Sequence, residues 1–386
     1  MKTERPAAEI EVYIHIPFCV KKCSYCDFLS FSAEKEQRQL YIDALKKEIG
    51  QFGFDMPVRS VFIGGGTPSV LAAGQITELL DTLRGRAKIL PEAEISIEAN
   101  PGTVDEDKLR AYRAAGINRI SFGCQSFHDD ELKMLGRIHG RNDILDSFYL
   151  ARSAGFANIN LDLMSALPGQ TLASWEDNLR QAIALGPEHL SAYSLILEEE
   201  TPLAKNRDLP PLPDEETERE MYRRTGEILS DAGYLQYEIS NYAREGYRCR
   251  HNLGYWTGVP YVGFGIGAAG FLPGGMLGET EAGLFVRYAN TGDLSAYLSG
   301  KGRFASWEPL DVEERKAEFM ILGLRLTEGV AEEEYRQRFG TPLMEDYGMQ
   351  IEKHLAAGLL VRSGGRLFFS PDGVSVSNAV LVDFLK

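Results

Sequence analysis

Three cysteines, Cys19, Cys23 and Cys26, follow one another in the spacing CxxxCxxC. Three thiolates on one short loop can hold three corners of an iron–sulfur cubane, leaving the fourth iron open to a ligand from outside the chain. A structural zinc ion is the competing occupant, but it ordinarily takes four protein ligands in paired spacings. The other two cysteines, Cys124 and Cys249, make no second pair, and His15 falls inside a predicted strand. An odd cysteine count with three crowded together suggests metal ligation in a reducing compartment rather than disulfides.

Other residues with chemical potential recur further along. Gly64-Gly65-Gly66-Thr67-Pro68 could bring backbone N–H groups close to a carboxylate or a ribose, or it could be a plain tight turn. Glu98, Gln125 and Asp162 each sit at or near the end of an extended run. Polar groups aimed at one mouth from several strands suit a nucleoside. Asp162 taken alone reads more readily as a buried structural acid.

The elements that must position these residues alternate. Extended runs are expected at 12–16, 60–63, 95–98, 119–122, 159–164 and 190–195. Between them, Tyr41, Leu45, Ile49 and Phe52 share one helical face, and further helical patterns cover 75–83, 105–115, 144–154 and 172–185. Ala115-Gly116-Ile117, Ala154-Gly155-Phe156 and Ala232-Gly233-Tyr234 form a weak repeat in which glycine suits a left-handed helix end. Such β/α alternation implies parallel strands with helical crossovers. The expected fold is α/β, a partial (β/α)6 TIM-like barrel, with a doubly wound open sheet as the alternative. Cys19, Cys23 and Cys26 would then lie in the first βα loop, on the face where such barrels build their sites.

Three segments are expected: the barrel over 1–210, a Tyr- and Gly-rich extension packing on it over 211–300, and a small α+β domain over 301–386. In the last, helical segments lead to a hairpin around Gly364-Gly365, as in winged-helix domains. A net charge of −15 argues against nucleic acid as a partner, despite Arg244, Arg248 and Arg250 lying close together. No apolar run approaches the roughly 20 residues that span a bilayer, and residues 1–10 are too polar for a signal peptide, so a cytoplasmic location is expected.

CxxxCxxC followed through YIHIPFC, GGGTP, IEANP, FGCQSF and LDLMSALPGQ resembles the radical S-adenosylmethionine (SAM) superfamily. Within it the likeness is to oxygen-independent coproporphyrinogen III dehydrogenases and the related HemW-like haem chaperones. It implies a [4Fe–4S] cluster on Cys19, Cys23 and Cys26, with SAM chelating the open iron. Matched motif by motif, it implies SAM contacts from Tyr13, Gly65, Gly66, Thr67, Glu98, Gln125, Arg137 and Asp162. Tyr25 matches an aromatic that meets a second SAM in the dehydrogenase.

Three features favour the chaperone branch. Phe28 stands where the dehydrogenase has a further cysteine, only twelve residues precede Tyr13, and His251-Asn252-Leu253-Gly254-Tyr255-Trp256 matches an HNxxYW signature. The resemblance thus implies haem as cargo, His251 as a candidate axial ligand, and delivery to respiratory haemoproteins; from the residues alone the motif reads rather as a structural loop, with His251 hydrogen-bonded and the aromatics in the core. It leaves room for a homodimer and for peripheral contact at the inner face of the membrane. Radical machinery is expected; dehydrogenase activity is not. In one departure, Ala269 occupies a position where relatives often carry histidine.

Overall fold

The computed structural model describes residues 9–276 and 284–385. The polar lead and part of the Tyr- and Gly-rich stretch, 277–283, lie outside the described residues.

The expected alternation forms as β1 (Ile10–Ile16), α1 (Lys35–Gln51), β2 (Val58–Gly65), α2 (Ala73–Arg84), β3 (Ile89–Ala99), α3 (Glu106–Ala114), β4 (Arg119–Gln125), α4 (Asp129–Met134), α5 (Arg141–Ser153), β5 (Ile159–Ser165), α6 (Leu172–Leu185) and β6 (His189–Ser194). Strands β1 to β6 neighbour one another in sequence order and pair in parallel. A doubly wound sheet reverses its order at a switch point, whereas a barrel winds one way. The order here never reverses, which identifies the open barrel. Gly116, Gly155 and Gly233 of the repeat all adopt positive φ, at 81°, 90° and 84°.

Side-chain alternation assigns each strand face. Ile10, Val12, Ile14 and Ile16 share one apolar core with Tyr41, Ile42, Leu45 and Ile49 of α1. The opposite face of β1 carries Glu11, Tyr13 and His15 into a barrel interior that is largely polar. There Asn160 Nδ2 donates to Ser121 Oγ and to Asp162 Oδ1, both at 2.7 Å. His189 links Asn160 Oδ1 (2.5 Å) to Tyr237 Oη (2.8 Å). Hydrogen bonding satisfies groups that would otherwise make a polar interior costly.

The sheet then extends past both edges of the barrel. After α7 (Glu215–Asp231), β7 (Leu235–Gln236) and β8 (Asn241–Ala243) continue it beyond β6. Helix α8 (Arg250–Thr257) closes the end of the barrel where the strands begin. Beyond it, β9 (Tyr261–Phe264) pairs in parallel with β1, and β10 (Ala269–Pro273), β11 (Phe285–Asn290) and, after the short α9 (Leu294–Ser299), β12 (Phe304–Leu310) add antiparallel strands. The extension expected over 211–300 is therefore woven into the sheet, and β12, expected in the last segment, belongs there too.

From α10 (Val312–Gly323) the chain forms a second core around Met320, Leu324, Tyr335, Tyr347 and Ile351. β13 (Val330–Ala331), α11 (Glu332–Phe339), α12 (Leu343–Ala356) and the hairpin of β14 (Leu360–Ser363) with β15 (Arg366–Phe369) give the helix–helix–wing order. Gly364 and Gly365 make the two-residue turn with φ of 59° and 74°, which other residues adopt at a cost. Among the described residues no helix is long and apolar enough to cross a membrane.

Glu11 gives the barrel a pH-dependent weakness. It is fully buried with neither carboxylate oxygen hydrogen-bonded, and Arg59 Nε lies 3.4 Å away. Burial pushes its carboxyl up to about 9, against the pull of Arg59. A carboxyl whose folded pKa exceeds its unfolded value favours folding below the unfolded pKa. That stability declines as pH rises from about 4.5 towards about 9. Glu11→Gln is expected to raise the melting temperature at pH 8 and flatten the loss of stability across that window. The gain expected in chemical unfolding is on the order of 1–4 kcal/mol.

Candidate functional site

The cysteine loop leaves the C-terminal end of β1 and is pinned on several sides. Cys19 N donates to Phe31 O (3.0 Å), Phe31 N to Pro17 O (2.8 Å), and Ser24 N to Leu135 O (3.0 Å). His15 anchors the loop's far limb. Its Nε2 faces the Leu29 carbonyl at 3.0 Å, which can only accept, so Nδ1 accepts from Tyr13 Oη at 3.0 Å. Burial lowers the pKa of His15, which favours this neutral form. With both nitrogens engaged, His15 is a latch rather than a fourth metal ligand.

The glycine run packs directly beneath. Gly65 has φ of 114°, and a Cβ there would lie 2.4 Å from His15 Cε1. A Cβ on Gly66 would lie 2.8 Å from the Phe18 carbonyl oxygen, and Gly66 N donates to Ile16 O at 2.8 Å. The triplet is thus required by close approach of two backbones as well as by a turn.

Polar side chains from successive strand ends converge around this frame. Glu98 Oε2 accepts from Gly65 N at 2.9 Å; burial raises its carboxyl to about 7, and that N–H restrains the rise. Thr67 Oγ1 lies 3.4 Å from Cys19 Sγ and accepts from Asn100 Nδ2 at 2.8 Å. Arg137 donates to Cys23 Sγ (3.4 Å), Asn100 Oδ1 (2.7 Å) and Gly123 O (2.5 Å). A guanidinium at the sulfur and a hydroxyl at its neighbour suit a negatively charged cluster of thiolates. Gln125 closes β4 at φ of 66° and accepts from Tyr193 Oη at 2.9 Å. For a residue other than glycine that left-handed backbone costs about 1–2 kcal/mol, the kind of strain that gathers at functional sites. Asp162 accepts from Ser121 Oγ at 3.2 Å as well as from Asn160, and burial raises its pKa. Tyr25 packs half-buried against a small apolar cluster that includes Leu135, Met164, Leu167 and Leu203.

The donor set fits a cubane. Cys124 is buried in the apolar core, and Cys249 is buried at the other end of the barrel, its Sγ donating to Glu94 Oε1 at 3.4 Å. Neither can reach the loop, so three thiols serve it. Among the described residues no three His, Cys, Asp or Glu side chains are drawn together as ligands of a single ion. A cubane holds its thiolates at separate corners, wider apart than the ligands of one metal.

The structure thus brings Cys19, Cys23, Cys26, Tyr25, Gly65, Gly66, Thr67, Glu98, Gln125 and Arg137 to one mouth, with Tyr13 and Asp162 lower in the barrel. Asn100, which ties Thr67 to Arg137, was given no role by sequence, although it stands within the IEANP motif.

His251, the candidate axial ligand, is not at this mouth. It lies at the opposite end of the barrel, 1% exposed, with Nδ1 on Ser60 Oγ and Nε2 on Tyr255 Oη, both at 2.9 Å. Phe62 stacks on it at 5.2 Å between ring centroids, and burial lowers its pKa to about 3. Haem ligation would require the ring to leave this pocket. The neighbouring arginines are also committed: Arg250 Nη1 donates to Glu92 O at 2.8 Å, and Arg248 lies over the Tyr237 ring. His139 is buried, its Nε2 3.3 Å from Cys124 O.

The sequence model of the "Radical SAM superfamily" matches residues 13–182, and that of the "HemN C-terminal domain" matches 310–376. A Bacillus subtilis protein named heme chaperone HemW is 36% identical over 97% of this chain and 98% of its own length. Its Escherichia coli namesake is 37% identical over 97% and 98%. A solved structure described as coproporphyrinogen III oxidase (HemN) from Escherichia coli, a radical SAM enzyme, superposes with a TM-score of 0.82. It covers 99% of this chain and 91% of its own, at 24% identity, a likeness of fold. Relatives that match from end to end, over a barrel whose mouth carries the three-cysteine loop, settle the kinship: this chain belongs to the HemW family of the radical SAM superfamily.

Proposed function

We propose that this protein is a haem chaperone that carries a [4Fe–4S] cluster and SAM at the barrel mouth and delivers haem to respiratory haemoproteins. The observation that carries the reading is end-to-end likeness, at 36–37% identity, to proteins named heme chaperones. Cys19, Cys23 and Cys26 hold the cluster, with Thr67 and Arg137 against two of the sulfurs. Tyr13, Tyr25, Gly65, Gly66, Glu98, Gln125 and Asp162, with Thr67 and Arg137, form the SAM site. When bound, SAM at the open iron supplies one-electron chemistry. The chain's own part is to fix the loop through His15, to present polar groups to the nucleoside, and to cover the sulfurs. Work in the cytoplasm, as a monomer or homodimer with peripheral contact at the membrane, completes the proposal.

The superposition on a coproporphyrinogen oxidase favours a second reading, oxidative decarboxylation of porphyrinogen propionates. Against it, Phe28 is 70% exposed and its side chain brings no thiol, while its carbonyl accepts from Lys22 Nζ at 2.9 Å and Ser30 Oγ at 3.3 Å. One experiment separates the two. Reconstituted protein is loaded with haem and mixed with an apo-haemoprotein, and in parallel is given coproporphyrinogen III, SAM and reductant. Transfer of the Soret band to the acceptor with no decarboxylated product is expected. Decarboxylated product without transfer would sink the chaperone reading.

A further inference from the structure

A second concave site lies away from the cluster. A cavity of about 650 Å³ opens where the β1–β9–β10–β11 edge and α8 meet α10 and α11 of the small domain. That volume falls in the range of small-molecule sites, roughly 300–1,000 Å³. Tyr255, Tyr261, Phe271, Phe319 and Phe339 form much of its wall. Tyr255 and Tyr261 meet edge to face at 4.7 Å, and Phe319 and Phe339 do so at 5.8 Å. Flat aromatic walls suit a flat aromatic ligand.

The charges are as informative as the walls. Arg287, Arg315 and Arg338 all line the cavity. Arg287 is paired with Glu318, and Arg338 donates to Glu334 Oε1 (3.0 Å) and Thr257 O (3.1 Å). Arg315 makes no ion pair among the described residues; its guanidinium lies 4.0 Å from the centroid of the Phe285 ring. It also faces Arg338, and burial followed by this like charge lowers the pKa of Arg315, against the pull of Glu318, which lines the same cavity. Two partly desolvated guanidiniums set side by side call for an anion. A larger cleft of about 830 Å³ between α7 and the small domain also holds an arginine without an ion pair among the described residues, Arg325, but that guanidinium lies over the Trp256 ring, and Tyr222 and Phe369 are the aromatic residues in the cleft's described lining. Its Arg219 and Arg223 are already paired with Glu215 and Glu220.

We infer that this cavity is the seat of the haem, or of another flat tetrapyrrole carrying carboxylates, with aromatic walls on the ring and Arg315 and Arg338 on the propionates. The assignment rests on the chaperone reading and adds to it where the cargo sits. Among the described residues that line the cavity there is no His, Cys or Met, and the iron ligands it offers are the hydroxyls of Tyr13, Tyr255 and Tyr261, so the ring is held chiefly by its faces and its carboxylates. Ala269 lines the same cavity. A histidine placed there would supply the missing imidazole.

The test uses full-length protein and metal-free protoporphyrin IX, followed by tryptophan-fluorescence quenching, with its dimethyl ester as the uncharged control. Wild type is expected to prefer the dicarboxylate. Arg315→Gln and Arg338→Gln are each expected to lose about tenfold in affinity for it and little for the ester. Ala269→His is expected to convert the spectrum of bound haem to that of an imidazole complex. Wild-type preference in both arginine variants, or an equal loss for both ligands, overturns the assignment. So does an unchanged haem spectrum in Ala269→His. If wild type takes up haem but no protoporphyrin, the cavity assignment falls and haem carriage stands. If it takes up neither, both fall.

Discussion

Replacing Cys23 by alanine is expected to abolish the cluster outright. After anaerobic reconstitution with iron and sulfide, the variant should show none of the broad visible absorption of an iron–sulfur protein, and its bound iron should fall to background. Cys124→Ala, treated alike, should keep both. The expectation follows because, among the described residues, no other cysteine or free histidine reaches the loop. Cys124 belongs to the apolar core, and Cys249 is hydrogen-bonded to Glu94 at the far end of the barrel. His15 has its nitrogens on Tyr13 and Leu29. The fold itself should survive, because Cys23 is only partly buried and the loop hangs on backbone bonds from Cys19, Ser24 and Phe31. A cluster that persists in Cys23→Ala would disprove the three-thiolate site. Stoichiometric zinc in the wild type would restore the structural-ion reading.

The barrel was legible in the sequence because its signals are local. Helix faces repeat every three or four residues, and the Ala-Gly dipeptides mark where left-handed glycines end helices. The cysteine loop was legible for the same reason, since its spacing is contained in one turn of chain. The rest depended on partners distant in sequence. Helix α8 carries a His-Asn-x-x-Tyr-Trp pattern that reads as a ligand motif, yet it closes the barrel. The backbone amides of Arg250 and His251 donate to the Glu94 carboxylate at 3.1 and 3.3 Å. A Cβ on Gly254 would overlap the Glu11 carboxylate, 2.1 Å away. Nothing in the local spacing announces either contact. The pairing of β12 with β11 was hidden likewise, and it carries the large sheet past residue 300. The aromatic cavity is drawn from separate stretches around 13, 255–261, 269–271, 287 and 315–339, and no window of sequence displays it.

His251→Ala should separate the two meanings of that motif. The structure predicts a protein destabilised by about 3–5 kcal/mol, from a lost buried ring and two orphaned hydroxyls. Those hydroxyls are Ser60 Oγ and Tyr255 Oη, and the vacated space lies against Phe62. Chemical unfolding at pH 7 measures the loss. Because burial holds the imidazole neutral down to about pH 3, the penalty should be flat between pH 5 and 8. Haem added to the variant well below its melting temperature should give the wild-type Soret band, since the ring it lacks does not face the cavity. Tyr255 connects the two effects: its hydroxyl is held by His251 while it lines the aromatic cavity. Affinity for haem should therefore fall modestly as that tyrosine loosens, with the spectrum unchanged. A shifted Soret band with stability intact would mean that His251 leaves the barrel base to bind iron, and that α8 is a moving part rather than a plug.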